Sequence, residues 1–416
     1  MNKLNKLEKS WIYYDVGNSA FIMLFTTIVP IFFNNLAGKS LKDTTYLAYW
    51  GYAITASTLI MAFLGPILGA LADSNKQKKN LFKLFVFIGV LSCAGLPFAI
   101  NWFMFLIQVV IAKVAFNGSL VFYDSMLIDV TEEERMDNVS SQGYAWGYIG
   151  SCLPFVISIF IGLKGTSFGL SQSLSMNLVF FINALWWLLW TLPLLKRYEQ
   201  IYVSPIKLKS SQVFKHLLNT FKEIKNDKKV FYFLLAFLFY IDGVYTIINM
   251  ATAYGKSLGL SSQGLILALL VTQLVAFPCA IFFGVISKTR PVEGLIKICI
   301  ICYGIIAFYA VTLDSLTKFW ILALGVGMFQ GAIQALSRSY FAKIIPPEKS
   351  SEYFGIYDVF GKGASILGSL MVSVITQITN NQHYAILGLA FMFVIGFIMF
   401  LKVEKEKVEG KEFLQK

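Results

Sequence analysis

Twelve apolar stretches dominate the sequence, each long enough to cross a bilayer as a helix, which takes about 20 residues. They lie near 11–36, 46–72, 80–100, 102–126, 140–163, 174–195, 230–253, 264–287, 295–313, 318–340, 353–377 and 383–402. The thinnest breaks are Asn101, between the third and fourth, and 314–318, between the ninth and tenth. Runs of this length lack the strict alternation of a membrane barrel, and within hydrocarbon a helix satisfies its own backbone. The expected fold class is all-α integral membrane, with twelve transmembrane helices. The longest stretch left between spans is 196–229, too short for a soluble domain.

Composition agrees. The chain is 57% hydrophobic and 14% charged, against about 25% charged residues in soluble domains. That excludes a soluble enzyme, a disordered chain and a secreted disulfide scaffold. All five cysteines (Cys93, Cys152, Cys279, Cys299, Cys302) fall inside spans, an odd and apolar set that reads as packing residues, the pair at Cys299 and Cys302 included.

The net charge of +12 follows from topology. With the N-terminus inside, 28 of the 35 Lys and Arg residues fall on inner segments and 5 on outer ones. Cytoplasmic loops collect these residues, so both termini are expected in the cytoplasm. Lys3, Lys6 and Lys9 precede an apolar run longer than a signal-peptide core, which reads as an uncleaved anchor. The chain divides into an N-terminal six-helix bundle (1–195), a basic cytoplasmic linker (196–229), a C-terminal six-helix bundle (230–402) and a charged cytoplasmic tail (403–416). In the linker, Val213, Phe214, Leu217, Leu218, Phe221 and Ile224 recur at helical spacing with lysines between them. This predicts an amphipathic helix on the inner membrane surface. Binding to anionic lipid accounts for its charge better than binding to nucleic acid.

Charges inside spans are costly, roughly 2.5–3.5 kcal/mol each on the insertion scale, so those present must pair or face water. Asp15, Lys113, Asp242, Asp358 and Lys362 lie well inside spans; Asp124 and Arg338 lie near inner ends. Asp15, Lys113, Asp242 and Arg338 fall on spans one, four, seven and ten. A polar cavity lined by those helices accounts for the pattern, with Asn18, Tyr123, Tyr240, Gln330 and Gln334 as further polar contacts. Asp15 and Asp242 are the expected ligands for a proton or a substrate amine, and Lys113 a carboxylate ligand or a counter-ion to either Asp. Asp358 and Lys362, four apart on one helix face, read as a local ion pair. No residues have metal-ligand spacing, and the Gly355–Gly363 stretch misses the phosphate-loop pattern by one residue and its Ser/Thr. No cofactor, nucleic acid or nucleotide-binding subunit is expected, and energy would come from a proton or other ion gradient. Weak echoes between Tyr14-Asp15 and Tyr240 to Asp242, and between Gly143 to Gly150 and Gly355 to Gly368, suggest parallel six-span repeats.

Gly69-Ala70-Leu71-Ala72-Asp73, followed by Lys76, Lys78 and Lys79, resembles the signature between helices two and three of the major facilitator superfamily. Ser74 stands where a basic residue is usual, and Lys76 where a glycine is. Further motifs narrow the likeness: Tyr14 to Phe21 (YDVGNSAF), Phe122-Tyr123-Asp124, Ser140 to Ser151 (SSQGYAWGYIGS), Tyr240-Ile241-Asp242-Gly243, Ala276-Phe277-Pro278, Ser337-Arg338-Ser339 and Phe354-Gly355-Ile356-Tyr357. Together they resemble the vacuole-effluxer family, named for a fungal autophagy-related exporter of amino acids. Val16 and Gly17 replace the usual Trp-Ala, Asp124 an Asn and Ser369 a Pro.

The resemblance implies a transporter, not an enzyme, that exports amino acids or related small metabolites by alternating access, coupled to protons. It implies a latch at the cytoplasmic side built on Gly69, Asp73, Lys76, Lys78 and Lys79, closing on the acidic stretch Glu132–Asp137 or another loop. The partners expected are the lipid bilayer and a small solute, and the chain is expected to act as a monomer in a bacterial cytoplasmic membrane. The alternatives are an exporter of lipophilic compounds, a membrane-embedded enzyme and a non-transporting scaffold.

Overall fold

A computed structural model of the chain describes residues 3–37, 41, 43–379 and 382–413, and among these it contains helix and no strand. The helices are α1 (Lys6–Ala37), α2 (Asp43–Asn75), α3 (Lys78–Gly95), α4 (Trp102–Ser125), the one-turn α5 (Leu127–Val130), α6 (Met136–Lys164) and α7 (Gln172–Arg197). After a linker come α8 (Val213–Asn226), α9 (Lys228–Ser257), α10 (Ser262–Ile286), α11 (Val292–Ala310), α12 (Leu316–Ile344), α13 (Ser350–Thr379) and α14 (Gln382–Phe413). Eleven of these are long and apolar enough to cross a membrane. The expected span at 353–377 lies in α13, a 30-residue helix in which the side chains of 363–367 lie outside the described residues.

Both thin breaks in the apolar pattern are helix starts. The Asn101 side chain accepts from Met104 N at 2.9 Å and opens α4; Ser315 accepts from Lys318 N and opens α12. Each cap satisfies an amide that the first helical turn leaves without a partner. Beside the second cap, the Lys318 ammonium lies 2.6 Å from Asp314, and this hydrogen bond holds the carboxyl below its usual range.

Helices α1 to α7 pack mainly on one another, as do α9 to α14, and the two sets meet along α2 with α13 and α6 with α10. The sets repeat each other's contacts. Tyr14 of α1 bonds Ser119 of α4 at 2.6 Å; Tyr240 of α9 bonds Ser337 of α12 at 2.7 Å. Gly69 of α2 lies against Ser351 of α13, and Gly284 of α10 against Ser141 of α6. A Cβ on Gly69 would fall 2.3 Å from the Ser351 carbonyl oxygen, and one on Gly284 2.6 Å from Ser141 Cβ. Backbone-distance approach of this kind is what small residues at a membrane helix interface permit.

One expectation changes. The linker helix α8 does divide into apolar and basic positions, but part of its apolar face is used on the protein. Val213 and Leu217 pack on Ala70 at the end of α2 with Ile67 and Leu71, and Ile224 joins the main core. His216 Nε2 lies 3.1 Å from Glu352, and Lys349 Nζ 2.6 Å from Glu223. Phe214, Leu218 and Phe221 stay exposed and are the positions left for a membrane surface. Through the residues of the expected charged tail, α14 runs on to Phe413.

The Gly69 contact gives a direct check. A Gly69→Leu side chain cannot fit against the Ser351 carbonyl, so α2 and α13 should separate at this end. Reaction of a cysteine at Ser125, fully buried beside Ser351, with a small maleimide should rise in an otherwise cysteine-free Gly69→Leu protein. Labelling as slow as in the Gly69 parent would show that the contact does not hold this end shut.

Candidate functional site

Arg338 sits on α12 with 2% of its surface exposed. A guanidinium at such a place must have its charge and its five N–H groups matched. Nη1 donates to Asp124 at 2.9 Å and Nη2 to Asp15 at 3.4 Å; Nε donates to Ser140 Oγ and Nη2 to the Ser140 carbonyl, both at 3.0 Å. Aromatic rings surround the guanidinium, with centroids of Tyr144, Trp11 and Tyr123 at 4.4, 4.6 and 5.4 Å. Stacking suits its planar, weakly hydrated charge. Trp11 is fixed by stacking on Tyr123 at 4.4 Å and by donating Nε1 to the Tyr123 carbonyl at 2.9 Å. Gly143 lets α6 reach the carboxylate, since a Cβ there would lie 2.4 Å from Asp15 Oδ2. Asn18 holds the other Asp15 oxygen at 3.3 Å. These partners of Arg338 all belong to α1, α4 or α6, so this residue ties the C-terminal set to the N-terminal one.

Two further junctions lie at the same end, where most Lys and Arg residues gather. Lys78 Nζ, fully buried, donates to Asp129 at 2.9 Å and to Ser350 Oγ at 2.8 Å, with Asp73 at 4.0 Å. Asp73 accepts from the Glu352 amide at 2.9 Å, the first turn of α13, where free N–H groups favour a carboxylate. Asp129 also accepts from the amides of Ile201 and Tyr202 and from the Tyr198 hydroxyl. Burial pushes the Tyr198 phenol well above its ordinary range, and the Asp129 charge adds to this. In the other junction, Asp137 of α6 accepts from Ser339 at 2.7 Å and Lys343 at 2.5 Å on α12.

The sequence-predicted residues therefore separate. Asp15, Asn18, Tyr123, Asp124 and Arg338 come together. Asp73 closes on α13 and not on the stretch 132–137, of which Asp137 is the member that reaches across. Of the latch lysines only Lys78 is engaged. Lys79 makes no ion pair among the described residues, and Lys76 is exposed at φ 55°, the left-handed region that glycine adopts without cost. That explains why the superfamily signature carries glycine there. Lys113 is not paired with Asp15 or Asp242; its ammonium lies over the rings of Phe25 and Phe116 at 4.7 and 5.5 Å. Asp358 and Lys362 are paired at 2.5 Å. Asp242 is fully buried on α9, its Oδ1 accepting from Thr246 at 3.3 Å. It has no cation partner among the described residues, and its Oδ2 has no hydrogen bond there. Gln334 bonds the Gln330 carbonyl at 2.9 Å and Tyr148 at 3.2 Å.

Sequence reasoning missed Trp11, Tyr144, Ser140, Asp129 and Lys343 as site residues. Trp11 stands one turn before Asp15, and Ser140 and Tyr144 lie in the SSQGYAWGYIGS run, so spacing carried a signal for those three.

The architecture is that of the major facilitator superfamily. Solved structures of a human organic anion transporter, MFSD10, and of the transporter FucP in its outward conformation superpose with TM-scores of 0.73 and 0.71. Each is 13% identical, covering 95% of this chain and 98% or 97% of its own. The chain belongs to the vacuole effluxer Atg22-like family, whose model matches residues 41–131 and 128–411. It is 43% identical to an uncharacterized MFS-type transporter of Bacillus subtilis, YxiO, over 98% of this chain and 96% of that one. It is also 25% identical to autophagy-related protein 22 of Saccharomyces cerevisiae, over 97% and 81%. The chain is thus a multi-pass membrane protein of transporter type and not an enzyme.

Removing the guanidinium alone leaves the buried Asp15 and the partly buried Asp124 without their counter-charge. Arg338→Met should lower stability by about 3–5 kcal/mol, read as a fall in melting temperature of the detergent-purified protein. Adding Asp15→Asn and Asp124→Asn should recover much of the loss. An Arg338→Met protein as stable as the wild type would contradict the charge-matching account.

Proposed function

We propose that the chain is a secondary active transporter that exports amino acids or related small metabolites by alternating access, driven by protons. The observation that carries this reading is that the two helix sets are closed at one end by ion pairs and hydrogen bonds centred on Arg338, Lys78 and Asp137. Contacts of that kind can be made and broken during a cycle, whereas a continuous apolar seam would fix the sets together. In this reading twelve helices span a bacterial cytoplasmic membrane, α13 among them, and the basic end faces the cytoplasm. The protein works as a monomer with no cofactor. The family's description as effluxers supports the direction, and the substrate class follows from the resemblance of the sequence motifs to that family.

Protons enter through carboxylates. A proton on Asp15 or Asp124 removes half of the ion pairing that holds Arg338, and the basic end opens more readily. Asp242 is a second proton site: a buried carboxylate without a cation is far costlier charged than neutral. The rival reading is an exporter of lipophilic compounds, favoured by the aromatic side chains around Arg338.

Reconstituted protein tests both. Radiolabelled leucine should exchange into liposomes preloaded with leucine, and an imposed pH gradient should drive net accumulation. Asp242→Asn should keep exchange and lose the pH-driven part. Normal pH-driven accumulation by Asp242→Asn would remove the coupling role. Export of unrelated lipophilic cations with no amino-acid exchange would favour the rival.

A further inference from the structure

The linker helix α8 reaches both helix sets and leaves one flank uncovered. Its docked face rests on α2 of the N-terminal set, where Val213 and Leu217 cover Ala70. A neighbouring flank reaches the C-terminal set: His216 Nε2 lies 3.1 Å from Glu352 in the first turn of α13, and Glu223 accepts from Lys349, just before that helix, at 2.6 Å. The helix therefore clasps the two sets together at the basic end, apart from the junctions around Arg338 and Lys78. Its seat on α2 is informative. Leu59, Phe63, Ile67 and Leu71 recur every four residues, on one helix face. Leu59 and Phe63 are exposed, as lipid-facing residues of a span are, whereas Ile67 and Leu71 are half-buried where α8 packs on Ala70. The linker helix thus covers the inner end of a lipid-facing stripe, which puts it at the border of the bilayer.

At about 100° per residue, Phe214, Leu218 and Phe221 fall on the flank opposite His216 and Glu223, and all three are exposed. Lys215, Lys222 and Lys225, also exposed, border them on the side away from the protein. Glu223, the one acidic residue of α8, is turned to Lys349 instead. Apolar side chains at the bilayer border, edged by lysines, match the acyl chain and the phosphate of an anionic phospholipid. We propose that anionic phospholipid of the inner leaflet binds this flank and fastens α8 in place. The linker helix is then the fixed side of the clasp, and the His216–Glu352 and Glu223–Lys349 contacts are the ones that part when the basic end opens. Anionic lipid favours the closed end. The consequence for transport rests on the alternating-access reading; the lipid site does not.

The test uses the full-length protein, otherwise cysteine-free, in liposomes of phosphatidylcholine alone or with phosphatidylglycerol. An environment-sensitive fluorophore on Leu218→Cys should shift to the blue in phosphatidylglycerol and be quenched there by brominated acyl chains. Combining Lys215→Gln, Lys222→Gln and Lys225→Gln should lose most of that shift. Soluble glycerol phosphate, added to the detergent-purified protein, should leave the spectrum unchanged. In a second protein, maleimide labelling of Ser125→Cys should slow severalfold in phosphatidylglycerol, and His216→Ala with Glu223→Gln should remove that dependence. Size-exclusion profiles and melting temperatures control for folding. Identical spectra in the two lipid mixtures, or a shift that glycerol phosphate reproduces, would overturn the lipid assignment. Labelling indifferent to phosphatidylglycerol would overturn the clasp. Loss of solute exchange in every lipid, with both effects intact, would remove the transporter reading and leave this site standing.

Discussion

A guanidinium cannot be left alone in a low-dielectric interior, and the surroundings of Arg338 are built to meet that requirement. Its charge needs counter-charge, its N–H groups need acceptors and its faces need rings. Asp15, Asp124, Ser140, Trp11, Tyr123 and Tyr144 meet these needs. All come from the opposite helix set, so the solvation shell of one side chain is also the contact between two bodies. Gly143 exists as glycine because that contact allows no Cβ beside Asp15.

The other two junctions obey the same rule. Lys78 and Asp129 are both buried, and their partners reach from the linker and from α13. Burial of such pairs adds little net stability, because desolvation consumes most of the Coulomb gain. Their use is in geometry: they form only when the sets are correctly placed, and they can be released by a proton or by competition. Glycine contacts on both sides of the interface, at Gly69 and Gly284, let the backbones come close.

Much of this was legible in the sequence. The span pattern needs only hydropathy and length, and both weak breaks, at Asn101 and Ser315, are caps that single-residue chemistry explains. Asp15, Asp124 and Arg338 stood out because charge in a span demands a reason. What could not be read was pairing over hundreds of residues: nothing local says that Asp73 meets an amide on α13, or that Lys113 avoids both Asp15 and Asp242. The linker helix shows a different limit. Its apolar positions were visible, but whether protein or lipid covers each face depends on where α2 ends. Trp11 and Tyr144 escaped notice because an aromatic residue in a span is ordinary until a cation lies against it.

The central claim is that the carboxylates around Arg338 hold the basic end closed. Spin labels at Lys76 and Lys288, both exposed at that end and on opposite helix sets, report its width by pulsed electron–electron resonance in liposomes. The account predicts that the Asp15→Asn, Asp124→Asn protein shows a larger long-distance population than the wild type, and that acidifying the wild type moves it the same way. A distance distribution unchanged by both would contradict it.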